Sequence, residues 1–255
     1  MLSSDHFVWL VWSSAFLIPW AVLFALFPTQ RRAMWWTSVF TTPFGLTEPL
    51  FVPEYWNPPS LFDLAQRTGF DIESLIFCFA IGGIGSVLYN VLTRRGSLPI
   101  EPGERHLPLH RHHVLALCSP FVVFLALYFL PWNPIYPGIV SMFAGAAATM
   151  LCRPDLKNKT WVGGLLFVVF YIVLLQGLRW LSPGYIERVW NLDVLLGIHF
   201  FRMPIEELLF AAGFGMYWSG VYEHFTWRRC AAPAAGSAPA GSSDGMREGS
   251  RNHSP

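Results

Sequence analysis

The run VLALCSPFVVFLALYFLPWNPIYPGIVSMFAGAAATMLC, residues 114–152, contains no Asp, Glu, Lys or Arg. Its 39 residues are interrupted by Pro131, Asn133, Pro134 and Pro137, which cannot all sit inside one regular helix. It therefore reads as a hairpin of two apolar helices. Further uncharged stretches cover 7–30, 33–47, 74–93, 160–178 and 208–222. Several reach the roughly 20 residues that cross a bilayer. The expected fold class is an all-α integral membrane protein with about seven transmembrane helices near 7–27, 33–51, 71–92, 113–130, 135–151, 161–180 and 203–224. The segments are continuously apolar, whereas the strands of a membrane barrel alternate. The first span reads as a retained helix: no basic residue precedes it and six more spans follow.

Composition agrees. Hydrophobic residues make up 53% of the 255 residues and charged ones 13%, against about 25% in soluble domains. Mean hydropathy is +0.41. Once seven spans are drawn, 13 of the 17 Lys and Arg fall on one side, leaving Arg67, Arg179, Arg188 and Arg202 opposite. The positive-inside rule then makes the rich side cytoplasmic, with the N-terminus outside and the C-terminus inside, in what is expected to be the cell (inner) membrane.

The chain also matches itself. Pro49 precedes Trp56-Asn57 as Pro183 precedes Trp190-Asn191. Asp71-Ile72-Glu73-Ser74-Leu75-Ile76-Phe77 then aligns with Pro204-Ile205-Glu206-Glu207-Leu208-Leu209-Phe210, and Tyr89 and Tyr222 follow 12 residues after Phe77 and Phe210. The offset of about 133 divides the chain into a first three-helix repeat (1–92), a cytoplasmic loop and connecting helix (93–134), a second repeat (135–225) and a disordered cytoplasmic tail (226–255). Four spans separate equivalent helices, so the repeats run parallel, and a site between them would be pseudo-symmetric.

Glu73, Glu206 and Glu207 open the third helix of each repeat, where carboxyl groups enter hydrocarbon at a cost that points to function. Helix capping is the competing account: Asp71 would cap span 3, Pro204 suits a first helical position, and acids in the first turn meet the helix dipole. Capping explains one acid per helix more readily than the adjacent pair Glu206 and Glu207. Arg202, four residues before Glu206, could pair with it; Glu207 would then sit in a less polar setting suited to donating a proton. Glu48 reads as a boundary residue able to join the cluster. The tryptophans near span ends fit an interfacial belt or a cavity whose ring faces stabilise a cation.

His106, His110, His112 and His113 read as part of a basic juxtamembrane loop, and the four cysteines show no spacing that resembles a metal site. Gly82, Gly83 and Gly85 lie within a span and read as close helix packing. No nicotinamide, flavin or nucleotide signature is present, so no cofactor and no metal are expected.

The Pro204-to-Phe210 segment, its weaker copy at Asp71 to Phe77 and the three-helix repeat resemble the integral-membrane carotenoid (lycopene) cyclases, the heterodimeric or fused type. The resemblance implies a lycopene cyclase-like enzyme, an intramolecular lyase or isomerase that forms β-ionone-type rings by proton-initiated, non-redox cyclisation. It implies Glu206, Glu207 and Glu73 as catalytic residues. Pro204, Arg202, Asp71, Glu48, Phe77, Phe210, Trp56, Asn57, Trp190, Asn191, Tyr89 and Tyr222 would support them or line the substrate. The first repeat departs from the pattern, with Asp71 for the proline and Ser74 for the second glutamate. Expected partners are the lipid bilayer, a hydrophobic isoprenoid or carotenoid substrate and other carotenoid-pathway enzymes, and not nucleic acid. A non-enzymatic transporter or isoprenoid-binding protein is the alternative class.

Overall fold

The computed structural model describes residues 4–231. Helices α1 (Val8–Ala15) and α2 (Leu17–Leu26) form one bent rod. Helix α3 (Arg31–Thr41) passes at Thr42 and Pro43 into a 3-10 segment, Thr42–Leu50. A loop with the short α4 (Leu64–Thr68) leads to α5 (Ile72–Leu92) and strand β1 (Gly96–Pro99). The hairpin read from residues 114–152 is present as α6 (His113–Tyr128) and α7 (Ile135–Cys152). Then follow α8 (Lys157–Leu181), the short α9 (Tyr185–Val189), a small hairpin of β2 (His199–Phe200) and β3 (Met203–Pro204), α10 (Ile205–Phe225) and β4 (Arg228–Ala231).

Among the described residues, five segments are long and apolar enough to cross a membrane: Asp5–Leu26, Ile72–Leu92, Pro108–Tyr128, Ile135–Cys152 and Pro154–Leu181. Expected spans two and seven coincide with the rod from α3 through Leu50 and with α10. Both depart from a uniform apolar helix for identifiable reasons. The α-helix of the first ends just before Pro43, and the second carries Glu206, Glu207, Glu223 and His224.

Helix α10 owes its place to this composition. It packs against α5, α7 and α8, and its acids and His224 are buried there, away from the outer surface. Helix α8 turns the opposite kind of face outward: Leu165, Val169 and Val173, one turn apart, are 64%, 53% and 61% exposed. Such a wide apolar exterior suits hydrocarbon rather than water. The chain is an integral membrane protein.

Small residues permit the close packing at the centre. A Cβ on Gly45 would come within 2.7 Å of the Leu75 amide nitrogen, so the 3-10 segment lies directly on α5. The expected packing role of the span glycines holds, with Gly82 against Thr41, Gly83 against Trp20 and Ser38, and Gly85 facing Phe214.

One boundary needs correction. Residues 226–231 were expected to belong to the tail, but β4 pairs antiparallel with β1 from Gly96 opposite Ala231 to Pro99 opposite Arg228. Arg228 donates to the Ser97 carbonyl at 2.7 Å, and Arg229 bridges to Glu104 at 2.7 Å. The cue was absent because the strand partners lie about 130 residues apart. The remainder of the expected tail lies outside the described residues.

The ends of the bundle differ in character. At one, Arg153 donates to the Arg228 carbonyl, Lys159 meets Glu223, and the Gln30 amide donates to the Arg95 carbonyl. At the other, Arg188 pairs with Asp5 at 2.9 Å. This division follows the arginine and lysine asymmetry of the sequence.

Candidate functional site

Between the rods lies an apolar cavity of about 600 Å³, reached by residues of α1, the 3-10 segment, α5, α6, α7, α8 and α10. Its walls are largely aromatic, including Trp9, Trp12, Phe77, Phe210, Phe214 and Trp218. Only two of its lining residues are acidic: Glu48, from the 3-10 segment, and Glu207, from the first turn of α10. The two helical ends bring them to one chamber because the 3-10 segment is seated on α5 while α10 packs against that same helix.

Glu207 is 4% exposed and both its carboxyl oxygens are occupied. Tyr171 donates to Oε2 at 2.7 Å and Trp190 to Oε1 at 2.7 Å, while the Tyr55 hydroxyl also donates to Oε1. Three donors converge on one group. Burial, followed by the neighbouring Glu207 carboxyl, pushes the Tyr55 phenol well above its usual range, so it acts as a donor rather than a phenolate. The less polar setting expected for Glu207 is therefore corrected: donors arrive from two separate loops and from α8, none of which adjoins it in sequence.

Glu48 is bonded differently. The Ser74 hydroxyl donates to Oε2, whereas Oε1 is buried without a partner. Ser74 occupies the position that aligned with Glu207. The substitution that distinguished the first repeat thus supports a carboxyl contributed by the preceding segment.

Glu73 and Glu206 are each fully buried but do not line the cavity. Glu73 accepts from the Leu61 amide at 2.7 Å. Glu206 accepts from the Leu196 amide and from the Tyr136 hydroxyl, each at 2.9 Å. Both fasten a preceding loop to a helix entrance. The expected Arg202 to Glu206 pair does not form: α10 begins only at Ile205, and Arg202 lies in the β2–β3 turn at φ 61° with its side chain exposed. Pro204 stands at the cap rather than inside the first turn. Asp71 does cap α5, accepting from the Ser74 amide at 2.5 Å, and also accepts from Trp9 at 3.1 Å.

Trp56 and Trp190, matched in sequence, meet as an isolated antiparallel pair with ring centroids 5.3 Å apart. Asn57 donates its amide to the Val189 carbonyl and Asn191 its amide to the Tyr55 carbonyl, both at 2.9 Å. Trp56, Trp190, Phe77 and Phe210 line the cavity, while the two asparagines brace its rim. Tyr89 and Tyr222 lie elsewhere, toward the basic end, where Tyr89 sits under Arg95 and Tyr222 packs with Ala33, Met34 and Val87.

A buried acid pair, aromatic walls and an apolar chamber, much of it built from α7 to α10, define the candidate site. Residues 133–225 match the lycopene cyclase family model. The match spans 93 of the 255 residues and is a likeness to that family. It runs from the turn before α7 through the end of α10 and so contains Tyr136, Tyr171, Trp190, Glu206 and Glu207. Comparison with curated proteins and with solved structures finds no match.

Sequence reasoning missed Tyr55 and Tyr171 as partners of Glu207, since neither stands in a recognisable motif. It also did not join His110, His113 and Cys152, whose ligand atoms lie within 4.8 Å of one another at the basic end. Their separations of 3 to 42 residues follow no familiar metal-site spacing.

Proposed function

We propose that this lycopene cyclase-like protein closes rings at the ends of a linear carotenoid by proton transfer without redox change. The observation that carries the reading is that Glu48 and Glu207, bonded in different ways, line one aromatic chamber. Protonation of the terminal carbon–carbon double bond by the Glu48 carboxyl leaves a tertiary carbocation. The adjacent double bond attacks it, which closes a six-membered ring and moves the positive charge into that ring. Loss of a ring proton to Glu207 restores an alkene of the β-ionone type. The composition of the substrate is unchanged, so no electron donor enters the balance.

The division of roles follows from hydrogen bonding. Three donors hold the Glu207 carboxyl in one orientation at the chamber wall, a placement that suits a proton acceptor and a counter-charge to a cation. Glu48, with one oxygen unpartnered beside the apolar space, suits the group that arrives carrying a proton. The ring faces of Trp9, Phe77 and Phe210 supply further stabilisation of positive charge without competing as bases. Glu73 and Glu206, expected as acids of the reaction, act in this reading by positioning loops.

The same reading includes seven spans, parallel repeats and a single shared chamber. The contact of Trp56 with Trp190, and the Asn90 amide donating to Glu223 at 3.2 Å across 133 residues, support a two-fold relation, because each pair joins positions matched in the duplication. The membrane is the cell membrane, with the basic end cytoplasmic.

Deuterium labelling tests the reaction. Purified full-length protein in detergent, given lycopene in D2O, should yield an isomeric product carrying one deuterium per ring formed. Ring formation with no deuterium gained would contradict initiation by an exchangeable acid, and recovery of unchanged lycopene would contradict the enzymatic reading.

A further inference from the structure

The basic end holds a second cluster that the cyclase chemistry does not use. His110 closes a short 3-10 turn, Pro108–His110; His113 begins α6; Cys152 ends α7. Cys152 Sγ lies 3.6 Å from His110 Nδ1 and 3.5 Å from His113 Nδ1. We propose that these three residues bind a zinc ion.

Three observations carry the assignment. Zn–S and Zn–N bonds of about 2.3 and 2.05 Å, held at the tetrahedral angle, leave sulfur and nitrogen about 3.6 Å apart. Both separations in this cluster have that length. Next, the remaining ring nitrogen of His113, Nε2, is 3.0 Å from the His224 carbonyl oxygen. This contact makes Nε2 the protonated nitrogen and leaves Nδ1 with its lone pair toward Cys152, the arrangement by which a backbone carbonyl orients a metal-binding imidazole. Finally, the His113 ring is held in place on both faces, by His224 at 4.1 Å and Trp227 at 3.8 Å between centroids. Its position is fixed before any ion arrives.

A thiolate and two imidazoles make a mixed sulfur and nitrogen donor set that suits zinc. The charge balance is tolerable: Arg153 is adjacent, but it is bound by both oxygens of Asp155 at 2.7 and 2.6 Å. Three protein ligands leave a fourth tetrahedral position for water or an exogenous donor. The ion would join the connecting loop, α6 and α7, and through the His224 carbonyl the end of α10. Cys152 lies ten positions, about 15 Å along α7, beyond Met142, the last residue of that helix to line the acid chamber. The ion is therefore a staple at the end remote from the acid chamber, and its presence can be read without any carotenoid turnover.

The test is metal content and cobalt spectroscopy on the purified full-length protein. After loading with zinc and removal of the excess, elemental analysis should find close to one zinc per chain in the wild type, and at least about tenfold less affinity in Cys152→Ala and His110→Ala. Cobalt substitution of the wild type should give the strong visible bands of a tetrahedral site with a near-ultraviolet sulfur-to-cobalt band. That measurement needs no variant to fold. Zinc well below one per chain, zinc retained equally by both variants, or cobalt spectra without a sulfur band would overturn the proposal and leave the cluster as hydrogen-bonded side chains.

Discussion

Tyr171 donates a 2.7 Å hydrogen bond to Glu207 Oε2, the carboxyl oxygen that Tyr55 and Trp190 leave free. A residue of α8 thereby fixes the rotamer of an acid on α10. Tyr171→Phe keeps the ring that packs at 6.1 Å from Phe167 and 6.1 Å from Phe210, and removes only the donor. A hydrogen bond to a charged group is worth about 1.5–3 kcal/mol, so ring formation per folded molecule should fall about tenfold or more. Tyr55→Phe should cost less, since Trp190 still donates to Oε1. Product analysis at equal protein level checks the order, and an unaffected Tyr171→Phe would separate Glu207 from the reaction.

Glu206 and Glu73 should behave as structural acids. Glu206→Ala leaves the Leu196 amide and the Tyr136 hydroxyl without their acceptor, which costs about 1–3 kcal/mol of stability. Rings formed per folded molecule should stay within a few-fold of wild type. Thermal unfolding in detergent, run beside product analysis, distinguishes this from a catalytic role; a normal melting point with lost ring formation would restore Glu206 as a catalytic acid.

Lys159 and Glu223 form a 2.6 Å ion pair with both side chains 1% exposed. Removing one partner leaves a buried charge, so Lys159→Met should destabilise by about 3–5 kcal/mol. The double variant Lys159→Met with Glu223→Leu should recover much of the loss. A double-mutant cycle by thermal unfolding measures the coupling, and simple additivity would show that the pair contributes nothing beyond its separate residues.

The helices were legible because each is an apolar run closed by proline, polar or charged residues; residues 114–152 gave both arms of the α6–α7 hairpin within two residues. The acidic entrances of α5 and α10 were legible too, since carboxyl groups at membrane depth stand out in any such chain. Sequence could not divide their labour. Glu206 and Glu207 are neighbours, but a helix turns about 100° per residue, which sends one toward the Leu196 loop and the other into the cavity. Glu48 looked like a boundary residue because its importance comes from Ser74, 26 positions away. The β1–β4 ribbon and the histidine–cysteine cluster are likewise set by tertiary pairing, which leaves no period in the chain.

The most direct measurement compares pigments in a lycopene-producing host that expresses the wild type, Glu48→Gln or Glu207→Gln at equal membrane levels. Glutamine preserves size while removing the ionisable group, so each substitution should lower ring formation about a hundredfold or more. Because the account gives both acids one chamber, singly and doubly cyclised products should fall together. The wild type should convert the linear pigment to ring-ended products, and either variant should leave it linear. Wild-type ring levels in the double glutamine variant, or no rings with the wild type, would contradict the account.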